Sequence, residues 1–185
     1  MTSIIPARQG TEKIQRLSRV LATVSVILIV VLPIAVGIYW AVNDTETLAA
    51  HANLPASAIL GSLHTWQRIA GAVLAEVSLF LLLIGIYQVR QCFMQFTMGQ
   101  IFTAEAVRCL KRFAGWAIAS VIAEILLSAA TSGILTLENP QYMRSFSISF
   151  SSAQMLMLFF AGMVWLMADV ISQGQVLAEE NDAFI

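Results

Sequence analysis

Residues Phe113–Leu137 read FAGWAIASVIAEILLSAATSGILTL, a long apolar run with a single carboxylate, Glu124, near its centre. Trp116, Ser120, Glu124, Ser128 and Thr131 recur at intervals of four, four, four and three, which places them on one side of an α-helix. Ala119 and Ala123 lie beside that stripe. Small and hydroxyl-bearing residues let helices approach closely and hydrogen-bond inside a bilayer, so this side is expected to face protein, not lipid. The run exceeds the roughly 20 apolar residues needed to cross a hydrocarbon core. A second run, Trp66–Val89, repeats the pattern with Glu76 as its one carboxylate. A charge among acyl chains is costly, so both groups are expected to turn inward, pair or protonate.

Two further runs complete the pattern. Val20–Val42 carries no charge, and Pro33 and Gly37 inside it predict a kink in its outer half. Ile148–Ser172 places Ser151, Gln154, Ala161, Trp165 and Asp169 near one face. The whole chain agrees: of 185 residues 58% are hydrophobic and 11% charged, less than half the charged share of a soluble domain. The expected fold is therefore all-α, an integral membrane four-helix bundle forming one domain over 1–185. Its spans are about 20–42, 66–89, 113–137 and 148–172. The basic flank before Val20 also suits a signal peptide, but the apolar run is too long for a signal core, so it is read as a retained span.

The connections set the orientation. Arg8, Lys13, Arg16 and Arg19 precede the first span, and Arg90, Arg108, Lys111 and Arg112 lie between the second and third. The first connector, Asn43–Thr65, has neither Lys nor Arg, and the last has only Arg144. The positive-inside rule then puts both termini in the cytoplasm. Arg68, at the outer edge of the second span, is expected to snorkel to the headgroups, and Trp40 and Trp66 to sit at headgroup level. The basic segment before Val20 predicts a short amphipathic turn starting near Thr11-Glu12, and the long first connector a surface helix around Ala56–Leu63. Gly99 is a C-cap candidate and Thr103 an N-cap with Glu105 in the first turn, which predicts a short cytoplasmic amphipathic helix between spans 2 and 3. Glu76 lies ten residues from the outer end of its helix and Glu124 eleven from the inner end of the next, about 15 and 16 Å at 1.5 Å per residue. Both fall near the midplane, where two facing carboxylates could not both ionise cheaply.

Several function classes are excluded or left without support. A net charge of −1 offers no basic face for nucleic acid. Cys92 and Cys109 have no partner at metal-ligand spacing and read as free thiols. His51 and His64 lie outside the spans, which leaves a haem without axial ligands in the bundle. No phosphate loop, nucleophile set or metal motif appears, so no cofactor and no enzymatic activity are expected.

Two stretches resemble a known family. Gly99-Gln100-Ile101-Phe102-Thr103-Ala104-Glu105, leading into a basic helix, resembles the "G-x-x-F-(S/T)" segment before the third span of the DUF2975 family of bacterial membrane proteins. The tail from Gly174-Gln175-Val176-Leu177 through Ala178-Glu179-Glu180-Asn181-Asp182 to Ile185 resembles that family's ending. The resemblance implies a bacterial inner-membrane, multi-pass protein of uncharacterised biochemistry, often encoded beside a small helix-turn-helix regulator. It supplies no catalytic residues.

The functional expectation is a non-enzymatic membrane sensor or regulatory partner acting through its cytoplasmic loop and acidic tail. Arg108, Lys111 and Arg112 against Glu179, Glu180 and Asp182 form the candidate docking set. Asp169 reads as a marker of the inner end of the fourth span. The alternative is a small proton- or cation-conducting transporter or channel subunit using Glu76 and Glu124, with Ser120, Ser128 and Gln154 as polar neighbours. The lipid bilayer, a second copy of the chain and a cytoplasmic regulatory protein are the partners this reading admits.

Overall fold

The computed structural model describes residues 5–52, 54–59, 61–98, 103–137, 139 and 150–182, without the side chains of 5–11, 56 and 178–182. Five α-helices follow one another: α1 (Ile5–Val42), α2 (Thr45–His51), α3 (Thr65–Thr97), α4 (Ala104–Leu135) and α5 (Ser152–Asp182), with a 3-10 turn at Ala56–Ala58. Four are long and apolar enough to cross a membrane, over Glu12–Val42, Thr65–Thr97, Ala104–Leu135 and Ser152–Leu177. Their outer faces expose Val20, Ile27, Val30, Phe80, Leu126, Phe159 and Leu166. Contiguous apolar surface of this extent is unsuited to water and suited to lipid. The chain is a multi-pass membrane protein.

The helices divide between two compact units, and each draws on all four spans. One comprises Met1–Ile29, Leu83–Ala117 and Phe159–Ile185. Among the described side chains α1 here buries only the small residues Ser18, Ala22 and Ser25, which share one face at helical spacing. The Ser25 hydroxyl donates to Leu21 O at 2.8 Å, which satisfies it without a partner helix. A Cβ on Gly85 would stand 3.1 Å from Trp116 Cβ and 3.4 Å from Phe113 O, so glycine permits the close approach of α3 to α4. Cys92 and Cys109 are buried free thiols in the same unit and share one small apolar cluster with Ala106.

The other unit comprises Val30–Leu82 and Ile118–Leu158. Its core gathers Trp40, Leu48, Ala49, Ala52, Leu54, Ala58, Leu63 and Leu135. Polar side chains close the helix ends around that core. Arg68 Nη1 donates to the carbonyls of Trp40, Ala41 and Asn43 at 3.4, 3.4 and 2.9 Å. These belong to the C-terminal end of α1, where unpaired carbonyls and the helix dipole favour a cation. Gln67, 2% exposed, accepts His64 N–H at 2.9 Å and donates to Ile134 O at 3.2 Å, so it caps α3 and ties it to α4. Asn139 Nδ2 donates to Ser57 O and Ala58 O at 3.2 and 3.0 Å, which anchors the 3-10 turn.

Several expectations are corrected. Among the described residues no separate amphipathic helix stands between spans 2 and 3: Ala104–Arg112 forms the opening turns of α4. Ala106, Val107, Cys109, Ala114 and Ala117 make one continuous buried stripe, with no Gly or Pro to break the helix between Thr103 and Ala114. Thr103 does cap it, its Oγ1 accepting Ala106 N–H at 3.2 Å. The short, non-spanning helix is α2, between spans 1 and 2. The surface helix expected over 56–63 is only the 3-10 turn Ala56–Ala58, and the chain has left the helical region by Gly61, whose φ is +76°. The basic segment before Val20 is no separate turn but part of α1, which already begins at Ile5. Trp40 is a core residue, 3% exposed, while Trp66 is 49% exposed. In the described residues the helix of the fourth span begins at Ser152, and Ile148 lies outside them. Gly99 and nearly all of the last connector, Arg144 included, lie outside the described residues.

Candidate ligand cleft

Parts of α1, α2, α3, α4 and α5 surround a cleft of about 500 Å³ in the Val30–Leu82 and Ile118–Leu158 unit. Its apolar wall is Val36, Trp40, Leu74, Leu79, Leu82, Leu127 and Met157. Its polar lining is Ser78, Ser120, Glu124, Ser128, Thr131, Ser151, Gln154 and His51. The α4 stripe read from spacing is thus one wall of the cleft. Glu124 is exposed to it, and among the described residues its carboxylate has no ion-pair partner.

The hydroxyls are held by their own helices. Ser78 Oγ donates to Ala75 O at 2.9 Å, Ser128 Oγ to Ile125 O at 2.7 Å and Thr131 Oγ1 to Leu127 O at 2.9 Å. Each hydroxyl proton is therefore engaged with backbone, and what the oxygen keeps is lone pairs. Gln154 is committed differently. Its Oε1 accepts Ser151 N–H at 3.0 Å, while Ser151 Oγ accepts Gln154 N–H at 3.2 Å. That reciprocal pair is a capping box and explains why α5 begins at Ser152. His51 sits at the end of α2 against Tyr39, 5.5 Å between ring centroids, and edge-on to Trp40 at 6.4 Å.

Of the residues singled out for an intramembrane polar site, Glu124, Ser120, Ser128 and Gln154 meet on this cleft, and Glu76 is not among its lining residues. Glu76 lies eleven residues after Thr65 and Glu124 eleven before Leu135, so each is about 16 Å along its helix. The two match in depth, but α3 presents Leu74, Ala75, Ser78, Leu79 and Leu82 to the cleft, and Glu76 lies well round the helix from the centre of that face. Spacing alone overlooked His51, Ser78 and Ser151 as lining residues. Ser151-x-x-Gln154 carried a legible capping signal; His51 carried none, since its place depends on how the first connector folds.

The proposed docking set is elsewhere, in the other unit. Lys111 Nζ forms an ion pair with Asp169 Oδ1, both partly exposed, which makes Asp169 a partner of α4 and more than an end marker. Such a pair is worth at most about 1 kcal/mol. Arg108 Nε donates to Ala104 O at 3.3 Å, and Arg112 is exposed. The side chains of Glu179, Glu180 and Asp182 lie outside the described residues, on the helical end of α5. Among the described residues no group of three or more His, Cys, Asp or Glu could hold a metal ion.

Helix composition and cleft together define a multi-pass, all-α membrane protein with an amphipathic cavity. The chain belongs to the family described as "Protein of unknown function (DUF2975)", whose pattern it matches over residues 40–185. That match takes in every lining residue of the cleft except Val36. Comparison with curated proteins and with solved structures gives no match.

Proposed function

We propose that this protein is a non-enzymatic membrane sensor of the bacterial inner membrane, with both termini cytoplasmic. The cleft takes up a small ligand, and the segment Ala104–Arg112 with the acidic tail passes its occupancy to a cytoplasmic partner. One observation carries this reading: a half-open cleft joins a single carboxylate and several hydroxyls to an apolar wall. A proton relay runs through titratable groups in series, and Glu76 does not join Glu124 in the lining. Apolar walls with a few convergent polar groups are the features of a binding site.

The test fills the cleft covalently. Ser78→Cys in a Cys92→Ala, Cys109→Ala background is modified with a benzyl thiosulfonate, and amide hydrogen exchange is followed over 104–112. Exchange in that segment should change on modification, and proteoliposomes should pass no protons or alkali cations above the empty-vesicle rate. Unchanged exchange, or a flux that Glu124→Gln abolishes, overturns the sensor reading and favours the conducting one.

A further inference from the structure

The lining also specifies the chemistry of its ligand. We infer that the cleft binds an amphipathic primary amine, its ammonium on Glu124 and its apolar body against Trp40, Leu79, Leu82 and Leu127. This rests on reading the cleft as a ligand site. Glu124 is the only Asp, Glu, Lys or Arg among the described lining residues, so the lining favours a cation over an anion. The hydroxyl protons of Ser78, Ser128 and Thr131 are turned back onto Ala75, Ile125 and Leu127 carbonyls. Their oxygens therefore meet a ligand as acceptors, beside a carboxylate that is itself acceptor-only when ionised. An ammonium, with three donors and no acceptor, is the complement of that array. Gln154 Oε1 is held by Ser151 N–H, which leaves the Gln154 amide –NH2 as a neutral donor for one polar atom on the ligand body. A small inorganic cation would leave the aliphatic wall unused, whereas an alkyl or aryl amine covers both surfaces.

The ammonium has two sources, a free amine or the headgroup of an aminophospholipid. The probe is dansylcadaverine, a primary alkylamine with an aromatic body, added to the full chain in nanodiscs of phosphatidylcholine and phosphatidylglycerol. Binding is read as saturable energy transfer from protein tryptophan to dansyl. Wild type should bind the amine, and Glu124→Gln should weaken it about tenfold or more through loss of a charge-assisted contact. The N-acetylated probe should lose the same affinity on wild-type protein, which keeps the test independent of how the variant folds. Competition by phosphatidylethanolamine in the disc would assign the site to a lipid headgroup, and its absence to a free amine. Equal binding of the acetylated probe, or of a dansyl carboxylic acid, overturns the amine assignment while leaving the cleft a ligand site. Benzyl occupancy without effect on exchange overturns the sensor reading instead, so the two failures are separable.

Discussion

Glutamine behaves in opposite ways in the two units. In the unit that holds the cleft, Gln67 and Gln154 sit at the first turns of α3 and α5, and each accepts a backbone N–H from the residue three positions earlier. In the other unit Gln88, Gln95 and Gln175 lie inside long helices, and each has one buried amide atom without a hydrogen-bond partner among the described residues, as has Arg90 at Nε. The difference is positional. At a helix start the backbone has unpaired N–H groups within reach of a short side chain. In a helix interior the backbone is already paired, so an amide depends on a neighbouring helix for its partners. One unit uses its polar residues to fix geometry around a cleft, while the other holds buried polar atoms that find no partner among the described residues.

That contrast breaks most readily at Gln67. Gln67→Met should destabilise the protein by about 3 kcal/mol in detergent-solubilised unfolding, because His64 N–H and Ile134 O both lose a buried partner. A loss no larger than an exposed Gln→Met substitution gives would show that helix-end amides do not hold this unit together. Gly71 offers a smaller effect. A Cβ there would fall 2.3 Å from the Trp40 ring, so Gly71→Ala should cost about 2 kcal/mol, partly recovered by Trp40→Phe. A neutral Gly71→Ala would mean that the indole has room to move. Gln175→Met is the counter-test in the other unit: thermal stability should be unchanged or rise by up to about 1 kcal/mol, since an unpaired buried donor is replaced by an apolar chain. A loss as large as that of Gln67→Met would erase the distinction between the units.

Much of the architecture was legible because bilayer physics leaves few choices. Apolar runs longer than the hydrocarbon core announced four spans, and the Ser120–Glu124–Ser128 spacing announced a protein-facing side of α4. Thr103 was legible as a cap because its hydroxyl acts within one turn of its own helix. Trp40 and Arg68 were not. Both carry the aromatic or cationic signature of a headgroup residue, yet one fills a core and the other closes the end of α1. Residue type sets what each can do, and the fold of the Asn43–Thr65 connector sets which of those they do. The same holds for Ala104–Arg112: its polarity suggested a surface helix, but periodicity carried the buried stripe of α4 straight through it.

From residue order alone came the membrane class, the number of spans and the face on which α4 carries its polar groups, because each depends only on run length and on periodicity along one helix. Tertiary structure decided which carboxylate opens onto a cavity, that His51 and Ser78 share it, and that Lys111 meets Asp169. Those facts depend on the rotation and packing of one helix against another. The contacts that set that rotation are contributed by residues far apart in the chain, so no single stretch encodes it.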